Sequence, residues 1–165
     1  GEPCTEDTAV LKKARDALLA AKPDWLSMDY GATEKLTNND YAASVDWNGS
    51  AMRARLGNPD LAFGAPKEGF PIWMDNVVLL ADAKNVDNAY LFLDFIMEPE
   101  NAAMLSAFAR YGNGITGADA FLPDDMKSAP EVNLPPEVMA KGKFLIACTG
   151  KALEFQKAIW TELQK

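Results

Sequence analysis

The stretch from Asp87 to Ala109 constrains the fold more than any other part of the sequence. Asp87 can cap a helix in which Ala89, Leu91, Phe92, Phe95 and Ile96 cover so much of the circumference that burial on more than one side is expected. Pro99 restarts the chain at a favourable first-turn position. Ala103, Leu105, Phe108 and Ala109 then carry a second amphipathic helix, which stops before Tyr111-Gly112-Asn113-Gly114. The first of the pair reads as a core helix, and the Gly-Asn-Gly segment as a loop.

The remaining elements follow from periodicity and breakers. Thr5 can cap a first helix, with Glu6 and Asp7 at its positive end and Val10, Ala14, Ala17, Leu18 and Ala21 at helical spacing, ended by Lys22-Pro23. A short helix over Ala32 to Leu36 precedes the turn cluster Asn38-Asn39-Asp40. The alternation of Tyr41, Ala43, Val45 and Trp47 reads as a strand broken by Asn48-Gly49-Ser50. Ala51 to Leu56 reads as a helix, and Leu61 to Ala65 and Ile72 to Leu79 as strands separated by Pro66-Lys67-Glu68-Gly69. The prolines between Leu122 and Pro136 favour extended or turning backbone. A last helix runs from about Lys151 to Leu163, with Leu153, Ile159, Trp160 and Leu163 toward a core.

Composition removes whole classes of chemistry. The 165 residues, 48% hydrophobic and 24% charged, suit one globular domain or parts of two. Sixteen basic against 24 acidic residues give a net charge of −8, which repels nucleic acid and anionic membranes; no nucleic-acid partner is expected. With no histidine, imidazole metal sites and Ser-His or Cys-His nucleophile pairs cannot be built. Cys4 and Cys148 have no CxxC spacing, which leaves a disulfide or two buried thiols. Phosphate loops, HExxH, GxSxG and calcium-loop patterns are missing, and adjacent acids such as Asp124-Asp125 read as solvated surface. No metal, cofactor or catalytic residue is expected, and the chain does not read as an enzyme. No run approaches the length of a membrane span. No basic and apolar leader precedes Gly1-Glu2-Pro3, so either a leader was removed or the chain starts within a longer protein.

Phe70-Pro71-Ile72-Trp73-Met74-Asp75-Asn76 is the segment richest in binding chemistry. On a strand, residues two apart share a face, which would set Trp73 beside Asp75. An aromatic face next to a carboxylate suits an alkylammonium: the ring quadrupole is worth about 0.5 to 2 kcal/mol to a cation, and the carboxylate accepts charge-assisted hydrogen bonds from it. Taken alone, a core Trp beside a solvated Asp is the commoner arrangement.

Wider context changes that reading. Trp47-Asn48-Gly49-Ser50, Pro66-Lys67-Glu68-Gly69, Trp73-Met74-Asp75 and Ala81-Asp82-Ala83-Lys84-Asn85 occur in this order, followed by Asn88-Ala89-Tyr90-Leu91-Phe92-Leu93 and Ile96-Met97-Glu98-Pro99-Glu100. The series resembles the spermidine/putrescine-binding proteins of ABC transporters and covers most of the chain from Tyr41 to Tyr111.

The resemblance implies an α/β fold of the periplasmic solute-binding type (type II, two-lobed), of which this chain is a C-terminal fragment. Residues 1–73 and 122–165 would form part of the C-terminal lobe, and 74–121 an excursion packed on the N-terminal lobe. It also implies a periplasmic location and two partners, a polyamine held in an interlobe cleft and a permease that receives it. Carried over by position, Trp47 and Trp73 look like walls of the cleft, Asp75 the partner of an amino group, and Tyr111 a further cleft residue. Ser50 stands where putrescine-preferring relatives carry an acid, which tilts toward spermidine. Matching is poor after Leu122, and Ile146 or its neighbours fall where relatives offer a polar contact. Another cationic solute in the same frame, such as an amino acid derivative or an opine, is the competing ligand. Because both cysteines fall in the C-terminal lobe and an exported protein meets oxidising conditions, Cys4 and Cys148 are expected to pair. With a lobe missing, Leu91, Phe92, Phe95, Ile96, Leu105 and Phe108 would lack cover, so the fragment is expected to self-associate.

Overall fold

A computed structural model describes residues 2–165. The chain forms two compact units: Gly1–Tyr30 with Pro71–Trp73 and Lys143–Lys165, and Gly31–Phe70 with Met74–Gly142. The segment 74–121, expected to make an excursion in the intact fold, belongs here to the same unit as 31–70 and 122–142. Helices take up about half of the chain, and among the described residues the sheet has two strands.

The smaller unit is built on two helices, α1 (Thr8–Ala21) and α8 (Gly150–Leu163). Asp7, not Thr5, caps α1: its Oδ1 accepts from the backbone N–H of Ala9 at 2.8 Å and of Val10 at 3.3 Å, while Thr5 Oγ1 accepts from the N–H of Asp7. α1 ends at Ala21, and a 3₁₀ turn, Lys22–Asp24, that contains Pro23 follows it. The inward face of α1 differs from expectation, and that of α8 agrees at Ile159 and Leu163 but not at Leu153 and Trp160. Val10 and Leu18 are exposed on α1, and Leu153 and Trp160 on α8, whereas Leu11, Arg15, Phe155 and Ile159 line a shared groove and Ala152 and Leu163 are buried. Cys4 and Cys148 are joined by a disulfide, and Gln156 Nε2 donates to the Pro3 carbonyl at 3.0 Å beside it.

Strands β1 (Phe70–Ile72) and β2 (Gly142–Phe144) pair, and the Leu145 N–H extends the ladder to the Ile72 carbonyl at 2.7 Å. Gly69 leads into β1 with φ of +110°, and a Cβ there would stand 2.7 Å from the Lys141 carbonyl oxygen. Glycine is therefore needed both for conformation and for close backbone approach. β1 stops at Ile72, so the strand expected through Leu79 is absent. Residues 41–47 and 61–65 are also irregular, and Val45 is fully exposed. An alternating run becomes a strand only when another strand pairs with its backbone, and none is opposite these.

The larger unit contains α2 (Ala32–Thr37), α3 (Asn48–Gly57), α4 (Val86–Met97) and α5 (Pro99–Ala109). It continues through a 3₁₀ turn (Ala118–Phe121) and two single turns, α6 (Asp124–Lys127) and α7 (Pro136–Met139). Pro123 is the N-cap of α6, and α7 starts at Pro136; prolines fit the start of a helix but not its interior. One apolar cluster joins Met52 of α3 to Ala102 and Ala103 of α5 and to Ala118, Leu122, Met126 and Ala129; a second joins Ala54 of α3 to Ala32 and Leu36. α3 is thus wedged between two cores by adjacent faces.

The reading of α4 as a core helix is overturned. None of its residues is buried, and Leu91, Phe92 and Phe95 are 67%, 57% and 53% exposed. On α5, Leu105 and Phe108 are exposed as well, whereas the small residues Ala102, Ala103 and Ser106 face inward. The N-cap of α4 is Asn85 rather than Asp87.

Candidate functional site

The Asn48-Gly49-Ser50 segment is not a strand terminator but the first turn of α3, with Trp47 at the N-cap position in extended conformation. Gly49 is buried because an aromatic ring lies across it: a Cβ there would come within 2.5 Å of Tyr111 Cζ and 2.8 Å of the Ala109 carbonyl oxygen. Tyr111 reaches this position because α5 ends one residue earlier, at Arg110, which adopts the left-handed conformation (φ 64°) and donates its N–H to the Ser106 carbonyl at 2.7 Å. Ser50 and Tyr111, 61 positions apart, thereby meet around one helical turn. Both are half-buried, as is Trp47.

Arg53, one turn along α3, completes this corner. Its Nη1 donates to the Ala109 carbonyl at the end of α5, its Nη2 donates to Ser50 Oγ at 3.0 Å, and its guanidinium carbon lies 6.0 Å from the centre of the Tyr111 ring. A cation is favoured at a helix C-terminus, where unpaired carbonyls carry partial negative charge.

The turn is fixed from behind by Glu131, which is 2% exposed. Its carboxylate accepts two bonds from Arg55, Nε at 2.6 Å and Nη2 at 2.9 Å, while its backbone carbonyl accepts from Asn48 Nδ2 at 2.9 Å. One residue therefore grips α3 at its first turn and again in its last. The hydrogen bond to Glu131 holds the Arg55 guanidinium above its ordinary pKa, so this group stays charged at any working pH. Among the described residues every buried side-chain nitrogen and oxygen has a partner.

Asp75 is in the same unit, exposed, in the irregular stretch after β1, where Asn76 Nδ2 turns back to the Met74 carbonyl at 2.9 Å. Trp73 is half-buried and belongs to the smaller unit. Neither is on a strand, so the period-two argument that set them on one face does not describe this backbone. The structure brings Tyr111 against the first turn of α3, which carries Ser50 and follows Trp47 at the N-cap. Arg53 and Glu131 were not singled out from the sequence, and Gly49 appeared there only as part of a motif. Arg53 becomes legible once α3 is started at Asn48, since Ser50 and Arg53 are then i and i+3. Glu131, 76 positions from Arg55, left no local signal.

Among the described residues no group of three or more His, Cys, Asp or Glu is gathered to hold a metal ion, and no helix is long and apolar enough to cross a membrane.

Comparison with known proteins gives a consistent result. The sequence profile described as bacterial extracellular solute-binding protein matches residues 4–134. A putrescine/agmatine-binding protein of Pseudomonas aeruginosa is 28% identical over 160 residues, covering 93% of this chain and 44% of the relative. A spermidine/putrescine-binding periplasmic protein of Haemophilus influenzae is 26% identical over 167 residues (99% and 45%), and a putrescine-binding periplasmic protein of Escherichia coli is 28% identical over 160 residues (92% and 43%). The chain spans less than half the length of these relatives.

Proposed function

Since the chain belongs to the bacterial extracellular solute-binding protein family, we propose that it is part of the solute-binding component of an ABC importer, which takes up a polyamine-like alkylammonium ion and hands it to a membrane permease. It performs no catalysis in this reading. The periplasm is the proposed location, which the Cys4–Cys148 disulfide supports, because such bonds persist in oxidising compartments.

The observation that carries the reading is the corner at α3. Trp47 stands at the N-cap, Ser50 offers a hydroxyl, and the Tyr111 ring lies against the first turn at Gly49, where a Cβ would collide with it. Half-buried aromatic rings with a single hydroxyl suit a ligand made of methylenes and a few polar ends. Names of the relatives supply the chemical class, and a net charge of −8 favours approach of cations. Trp47, Tyr111 and Trp73 are the proposed walls, Ser50 a hydroxyl contact, and Asp75 the acceptor for an ammonium. In the intact protein, residues 1–73 and 122–165 belong to the C-terminal lobe and 74–121 pack on the N-terminal lobe; the bare apolar row of α4 and α5 supports that division.

Calorimetry of the full-length protein with putrescine and spermidine is the test. Asp75→Asn should weaken binding at least tenfold, about 1.4 kcal/mol, as a charge-assisted bond becomes neutral. Wild-type affinity in that variant removes Asp75 from the site, and absence of binding by the unmodified protein removes the polyamine reading.

A further inference from the structure

Arg53 has no part in a site for polyamines, yet it touches two of the residues assigned to one. It bonds Ser50 Oγ at 3.0 Å, is anchored on the Ala109 carbonyl, and holds its guanidinium 6.0 Å from the centre of the Tyr111 ring. A guanidinium is never neutral in a protein, so this is a fixed positive charge beside the ring and the hydroxyl proposed as solute contacts. An arriving ammonium would meet like charge, and would compete with Arg53 both for the negative face of Tyr111 and for the Ser50 oxygen. An oxygen acceptor would meet the opposite: a planar fork of N–H donors, of which two of five are engaged in these bonds, next to a serine hydroxyl.

Resting on the reading of Ser50 and Tyr111 as solute contacts, we propose that Arg53 is a specificity-determining residue that occupies the cation position on Tyr111. The solute end lodged there is therefore an oxygen acceptor, carboxylate or amide, and its ammonium is at the other end. The cargo class becomes an alkylamine carrying one oxygen-bearing end in place of a second amine.

Three ligands with the same four-carbon spacing test this in the full-length protein: putrescine, N-acetylputrescine and 4-aminobutanoate. By calorimetry the unmodified protein should bind the acetylated amine or the amino acid at least tenfold more tightly than putrescine, and whichever is preferred separates amide from carboxylate. Arg53→Met, which keeps an apolar stem and drops the charge, should move that ratio at least tenfold toward putrescine, while Arg53→Lys should keep the original order. A wild-type preference for putrescine, or a ratio unchanged in an Arg53→Met protein that melts at the wild-type temperature, overturns the assignment while leaving the solute-binding reading intact. If none of the three ligands nor spermidine binds, the solute site itself falls, and the role of Arg53 with it.

Discussion

A methyl group on Gly49 would stand 2.5 Å from one carbon of the Tyr111 ring and 2.8 Å from a backbone oxygen, and the second of these cannot rotate away. Gly49→Ala should therefore cost about 1 to 3 kcal/mol, the usual range for overpacking. It should also turn the Tyr111 ring off the first turn of α3. A lowered urea midpoint together with a changed tyrosine environment in near-ultraviolet circular dichroism checks both parts. The Arg55–Glu131 pair gives a second residue-scale expectation. The Glu131 side chain is fully buried whereas that of Arg55 is 28% exposed, so removing the arginine strands a carboxylate that cannot reach water. Arg55→Met should cost about 3 to 5 kcal/mol, and adding Glu131→Met to it should restore most of the loss, because two apolar side chains leave nothing unpaired. Equal destabilisation in the single and double variants, measured by denaturant unfolding, would show that the pair is not what holds α3. Gly49 was legible as part of a motif, but its reason was not: the motif gives the glycine, and only the approach of Tyr111, from 62 positions away, explains it.

At the scale of elements, helices were readable and strands were not. α1, α2, α5 and α8 form near the places where periodicity, caps and prolines put them, since a helix satisfies its backbone within itself. The alternating runs at 41–47 and 61–65 promised strands, but a strand depends on a neighbour that local sequence does not specify. Even among the helices, the inward face was displaced on α1, whose alanine-rich pattern permits more than one apolar stripe, while on α8 Ile159 and Leu163 face inward as expected and Leu153 and Trp160 do not. α4 and α5 carry the apolar row that was expected to lack cover. Leu91, Phe92, Phe95, Leu105 and Phe108 are more than half exposed, though burying each such side chain is worth about 1.5 to 3 kcal/mol. By itself the chain should cover this row with a second copy of the same surface. Light scattering coupled to size exclusion at micromolar concentration should report a dimer or larger species, and Phe92→Lys with Phe108→Lys should return it to monomer. A monodisperse unsubstituted monomer overturns the expectation.

The whole molecule is tied by one covalent link between residues 144 positions apart. In the chain-entropy account, closing a loop of that length restricts the unfolded chain enough to contribute roughly 5 kcal/mol. Cys4→Ser with Cys148→Ser should lower the unfolding free energy by several kcal/mol, and a change below 1 kcal/mol would mean that the unfolded chain is already compact. The same bond closes residues 4–148 into a covalent ring. Residues 73–80, irregular and bearing the exposed side chains of Met74, Val77, Val78 and Leu80, lie inside that ring. A protease that cuts there would separate the chain into two polypeptides without separating the protein: the product would migrate as two bands with reductant and keep its full mass without it.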